Sequence, residues 1–99
     1  MQVTFRQSGG TSGFVRGVDM DTARLDPATA GRLEELVRTS GIEGETARVS
    51  DRGRDFRQYE IVIHGDGQKA SLVCDDATLP KKARPLIRFL DAHAGPIRQ

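Results

Sequence analysis

Apolar residues recur with two different periods along this chain, and the switches between them outline the elements. Val3 and Phe5 alternate with Thr4 and Arg6, a period of two that predicts a strand over residues 2–8. Phe14, Val18 and Met20 share one face of a second strand with Arg16. Asp19 and Asp21 point away from that face, and Gly17 is read as the mark of a bulge. Between the two runs lies Arg6-Gln7-Ser8-Gly9-Gly10-Thr11-Ser12-Gly13-Phe14. Glycine takes positive φ without a steric cost, so this stretch is read as the turn of a β-hairpin with a small, polar tip.

The period then changes to that of a helix. Ala30, Leu33, Leu36 and Val37 form one stripe. Asp26 is placed to cap its N-terminus and Pro27 fits the first helical position, where a missing N–H costs nothing. Leu25 and Ala30 have the spacing of a hydrophobic staple, Gly41 ends the helix, and Glu34 and Arg38 have the spacing of an ion pair. Residues 42–55 offer almost no apolar anchor beyond Ile42 and Val49 and are read as a loop. Period two returns in Tyr59, Ile61 and Ile63, and again in Ala70, Leu72 and Cys74, with His64-Gly65-Asp66-Gly67-Gln68 as the turn between them. Phe56 is expected to anchor the preceding loop to the core. Leu86, Ile87, Phe89, Leu90 and Ala94 predict a last helix ended by Gly95-Pro96. Pro85 requires regular helix to begin near 82–85, with a tighter turn over 80–83. The expected fold is α+β: one domain over residues 1–99, in the order ββαββα, with a four-stranded, mostly antiparallel sheet and both helices packed on one face.

Composition adds limits. A chain of 99 residues, 36% hydrophobic and 29% charged, suits one core. A net charge of +1 argues against a strong nucleic-acid binder. The single cysteine, Cys74, has no internal partner, which suits a reducing, cytoplasmic setting. The first residues lack the apolar run of a signal peptide, and no stretch approaches the ~20 apolar residues of a membrane span.

The search for chemistry is short. His64, Cys74 and His93 stand in no metal-ligand spacing, and each has a plain structural account as turn, core and helix-end residue. A Cys74–His93 pairing is not encoded by spacing. Asp19, Asp21, Asp75 and Asp76 fall near strand ends and are expected to be solvated surface. Ser8-Gly9-Gly10-Thr11-Ser12-Gly13 is rich in glycine, but a strand rather than a helix follows it and the Walker lysine is missing. Arg48, Arg52, Arg54 and Arg57, with Phe56 and Tyr59 for stacking, offer a weak single-strand nucleic-acid reading that Asp51 and Asp55 interrupt. No cofactor, metal or catalytic residue is assigned. Composition and spacing alone describe a binding module with two contact regions, 8–14 and 42–57.

Four strings in order add a family. Arg6-x-Ser8-Gly9-Gly10-x-x-Gly13 resembles the opening of the emfourins. Leu25-Asp26-x-x-x-Ala30-x-x-Leu33-Glu34-x-Leu36-Val37 resembles their first helix. Phe56-x-x-Tyr59-x-Ile61-x-Ile63 before Gly65-Asp66-Gly67 resembles their hairpin, and Leu79-Pro80-x-x-x-Arg84-Pro85-Leu86-Ile87-x-x-Leu90 their last helix. Emfourins are small bacterial protein inhibitors of thermolysin-like zinc metallopeptidases, protealysin among them. The resemblance implies no enzyme activity and no cofactor. It implies a monomer when free that occludes the peptidase cleft as a rigid body. Candidate contacts are Ser8, Gly9, Gly10, Thr11, Ser12, Gly13 and Phe14, whose main chain approaches the cleft edge. Asp19 or Asp21 is the candidate for approaching the peptidase's zinc or histidine. Arg52, Arg54 and Phe56 are secondary candidates. The rival reading is a non-inhibitory interaction module that binds a partner through its sheet edge and the 42–57 loop, with neither nucleic acid nor membrane as partner.

Overall fold

The computed structural model describes residues 1–9, 15–51, 56–65 and 67–97. Its elements in chain order are β1 (Gln2–Gly9), β2 (Arg16–Asp21), α1 (Pro27–Thr39), β3 (Glu45–Arg48), β4 (Arg57–Gly65), β5 (Gln68–Asp75), α2 (Arg84–His93) and β6 (Gly95–Pro96). They make one sheet in the order β3-β5-β4-β1-β2-β6. The fold is α+β as expected, but the sheet has six strands rather than four, and the order is ββαβββαβ rather than ββαββα.

The two extra strands explain the difference. β3 lies inside the segment read as a loop and runs parallel to β5, pairing Glu45 with Ser71 and Arg48 with Cys74. Parallel pairing needs no adjacent turn, so no local signal announces it. β6 is a two-residue pairing of Gly95 and Pro96 with Gly17 and Arg16, at the site read only as a helix stop.

One face of the sheet carries the core. Val3, Phe5, Met20, Tyr59, Ile61, Ile63, Leu72 and Cys74 are buried there, under Leu33 and Leu36 of α1 and Leu86, Ile87 and Leu90 of α2. Period-two burial in the strands and helical burial in α1 and α2 follow from side chains alternating on a pleated strand and recurring on one helical face. Phe5 and Tyr59 stack within this layer with ring centroids 6.3 Å apart. Phe56 is half-buried and lies outside this cluster, so it does not anchor its loop to the core.

Local chemistry sets the helix ends. The Asp26 side chain accepts from Thr29 N at 3.0 Å, and Pro27 follows at the first position. Ser40 closes α1, and Gly41 leaves it at φ +75°. Arg38 lies 3.8 Å from Glu35 rather than pairing with Glu34, because the i,i+3 neighbour is as close on a helix surface as the i,i+4 one. A 3-10 turn over Lys81–Ala83 leads into α2, so Pro85 falls in the first turn, where it breaks no hydrogen bond.

Gly17 is not a bulge. Pairing runs unbroken from Gln2↔Asp21 to Gln7↔Arg16. A Cβ at Gly17 would stand 2.3 Å from the Phe5 carbonyl oxygen and 2.8 Å from Ile97 Cδ1, so close approach is what requires glycine here. Phe14 and the turn tip lie outside the described residues.

Candidate functional site

The β1–β4 pairing brings the two sequence-predicted contact regions to one end of the sheet. Ser8 pairs with Gln58 and Gly9 with Arg57, so the strand that leads to the glycine-rich tip ends beside the residue that follows Phe56. Gly9 has φ +107°, and a Cβ there would lie 2.7 Å from the Phe56 carbonyl oxygen. Only glycine combines that φ with that contact.

Both bases of the tip are fixed. On the β2 side, Val15 accepts a main-chain hydrogen bond from Ile97 N at 2.9 Å. Arg16 Nη1 lies 2.9 Å from Asp91 Oδ1, and its Nη2 reaches the carbonyls of Asp91 and Ala94 at 3.5 and 3.4 Å. That contact ties the start of β2 to the end of α2. Both side chains are about 40% exposed, so its energetic contribution is that of a surface pair, roughly 0–1 kcal/mol.

The segment between β3 and β4 is bracketed by two adjacent carboxylates. Asp75 is fully buried. Its Oδ2 accepts from Ser50 N at 2.7 Å and from Ser50 Oγ at 2.8 Å. Its Oδ1 accepts from Ala77 N at 2.8 Å and Thr78 N at 3.0 Å. The Thr78 hydroxyl adds a contact to Asp75 and one to the Arg48 carbonyl. Burial alone would raise the Asp75 pKa, but these donors outweigh it and hold the carboxyl at about 2. Asp76 holds the other end of the segment. Its Oδ1 accepts from Tyr59 OH at 2.5 Å and its Oδ2 from Arg57 N at 3.2 Å. Burial, and then the Asp76 hydrogen bond, push the Tyr59 phenol up to about 12. One carboxylate thus fixes where the segment leaves β3, and the next fixes where it enters β4.

Asp75 was therefore misplaced by the expectation of a solvated strand end. The alternation of β5 puts it opposite the core face, where Ser50 of the returning chain and the Ala77–Thr78 turn close over its carboxylate. An Asp-Asp pair directly after an apolar-alternating strand was the available signal.

The remaining candidates scatter. Ser8, Gly9 and Phe56 lie together. Gly10, Thr11, Ser12, Gly13, Phe14, Arg52 and Arg54 lie outside the described residues. Asp19 and Asp21 do not join them. Asp21 pairs with Gln2 at the far end of β2, five residues from Arg16, or roughly 17 Å along a strand. It accepts from Ala23 N at 3.0 Å, capping the 3-10 turn Thr22–Arg24, and Asp19 faces Arg6 at 3.5 Å. Tyr59 is committed to the core and to Asp76, which removes it from any base-stacking role. Cys74 is fully buried, and burial, with the neighbouring Asp75 and Asp76 charges, pushes its thiol up to about 11. His93 is exposed on α2, with Nδ1 2.8 Å from the Phe89 carbonyl. Among the described residues no three His, Cys, Asp or Glu side chains gather in a metal-binding group, and no helix is long and apolar enough to cross a membrane.

The fold and this end of it define a small α+β domain in which Ser8, Gly9 and Phe56 meet at one end of its sheet. Residues 5–91 match the Emfourin family model, and the chain belongs to the emfourin family. Neither the curated proteins nor the solved structures contain a match.

Proposed function

We propose that this protein inhibits thermolysin-like zinc metallopeptidases by occluding the active-site cleft with the end of the sheet that carries Ser8, Gly9 and Phe56. The observation that carries the reading is the family match over residues 5–91. The shared end supports it, because Ser8, Gly9 and Phe56 can then meet one concave surface together. A rigid base lowers the ordering cost of association. A standard interface of about 1,600 Å² in total is within reach of two loops and their flanks. The zinc belongs to the enzyme. The residues of 10–14, with Arg52 and Arg54, remain part of this proposed surface. Asp19 and Asp21 stand apart from it and need a second contact to take part.

Titration of a protealysin-like peptidase tests the reading. Stoichiometric loss of peptide hydrolysis at micromolar protein is expected, with the inhibitor recovered uncleaved. Full activity at that concentration across several thermolysin-like enzymes overturns it.

A further inference from the structure

The opposite edge of the sheet has features that inhibition by the hairpin end does not use. β3 is the outermost strand. Ser71 N donates to the Gly44 carbonyl at 2.7 Å, so Gly44 directs its main chain toward β5. Successive residues of a strand alternate in this direction, so Thr46 and Arg48 also face β5. Glu45 and Ala47 turn their N–H and C=O groups outward, where no strand among the described residues pairs with them. The side chains of Thr46 and Arg48 line a cleft of about 280 Å³, together with Lys81 and Lys82 and with Ile42 and Leu72 at its base. Among the described residues no carboxylate lines it, and Arg48, Lys81 and Lys82 form no ion pair.

We propose that the β3 edge and its cationic cleft form a docking site for an extended acidic segment of a partner protein. A strand added beside β3 bonds to the outward groups of Glu45 and Ala47. Every second side chain of that strand, roughly 7 Å apart, then lies on the face of Thr46 and Arg48 and meets Lys81 and Lys82. Acidic residues at alternate positions satisfy all three cations. A basic segment is repelled. A second copy of this chain sets one cationic cleft against another, so the charge that selects an acidic partner also opposes self-pairing.

The probe is fluorescein-Glu-Val-Glu-Val-Glu-Val-amide, labelled at its N-terminus and followed by anisotropy, with the Lys-for-Glu peptide as control. Saturable binding that weakens with added salt is expected for the acidic peptide alone. Lys81→Glu combined with Lys82→Glu is expected to weaken it roughly tenfold or more. Ala47→Pro removes an outward N–H that β5 does not use, a position where an edge strand accepts proline. This variant is expected to keep the wild-type circular dichroism and the intact cleft but lose the peptide. Both variants are expected to inhibit the peptidase as the parent does, which separates this site from the hairpin end. No binding at millimolar peptide, or binding indifferent to the charge reversal, overturns the proposal. Full binding by Ala47→Pro, with displacement of the peptide by inorganic phosphate, overturns it in favour of a simple anion pocket. Concentration-dependent dimerisation that blocks the peptide overturns it in favour of a second copy.

Discussion

Replacing Gly9 with alanine asks whether the Gly9–Phe56 contact braces the site. The new Cβ meets two separate penalties. At φ +107° an L-residue sits in a sparsely populated region, which costs about 1–3 kcal/mol. The Cβ would also stand 2.7 Å from the Phe56 carbonyl oxygen, a main-chain atom held in place by the pairing of Arg57. Relief requires the end of β1 to move away from the start of β4, which gives up a hydrogen bond contributing roughly 0.5–1.5 kcal/mol. The sum is about 1.5–4.5 kcal/mol. For a domain of this size that lowers Tm by roughly 6–36 °C. Gly67→Ala is the internal control. Gly67 also has positive φ, at +75°, but a Cβ there has no neighbour within 4 Å. It meets the conformational penalty alone, roughly 1–2 kcal/mol.

Calorimetry on both variants separates the two contributions. Gly9→Ala is expected to lose more Tm than Gly67→Ala, because it alone adds the Phe56 contact to the conformational penalty. Peptidase titration well below both midpoints then reads function. Gly67 lies in the β4–β5 turn, at the other end of the sheet from Gly9, so its variant should inhibit as the parent does while Gly9→Ala inhibits less tightly. Equal Tm losses would refute the bracing argument. Equal inhibition by both folded variants would remove the Gly9 end from the interface.

Phe56→Ala removes a half-buried ring outside the core, so its Tm should stay within a few degrees of the parent while inhibition weakens; a large Tm loss with unchanged inhibition contradicts this. Leu90→Ala, at a fully buried position of α2, should cost about 2–5 kcal/mol in urea unfolding, and a loss below 1 kcal/mol refutes the packing described. The Asp75 carboxyl is held at about 2 against an ordinary 3.8, so its contribution to stability is present above the ordinary value and lost as pH falls toward about 2. Asp75→Asn should therefore lower the urea midpoint at neutral pH and flatten its fall between those two values; an unchanged acid slope contradicts the assignment. Cys74, with its thiol pushed up to about 11, should ignore a thiol reagent at pH 8 until urea unfolds the chain, and rapid native-state labelling contradicts its burial.

What could be read in advance depends on whether a feature is built from near or distant residues. The Asp26-Pro27 start of α1 and its Gly41 end are local chemistry, as is the displacement of regular helix to Arg84 by Pro85. The strands around Val3, Phe5, Tyr59, Ile61 and Leu72 announce themselves because one face is core and the other is not. β3 does not, because its inward residues are Thr46 and Arg48, which line a cleft rather than the core. Gly17 shows the same limit from another direction. Its need for glycine comes from the Phe5 carbonyl and from Ile97, eighty positions further on, and a lone glycine in a strand reads equally well as a bulge. The candidate site follows this rule most closely. Ser8, Gly9 and Phe56 were each visible as residues, but as two regions rather than one. What joins them is the antiparallel register of β1 on β4, which matches Gly9 with Arg57 and Phe5 with Ile61 in a single alignment. A slip of one residue would turn Ile61 and Ile63 away from the core, so burial of those side chains excludes it. The core thereby fixes the site. The same apolar residues that hold the sheet together also determine that Gly9 meets Phe56.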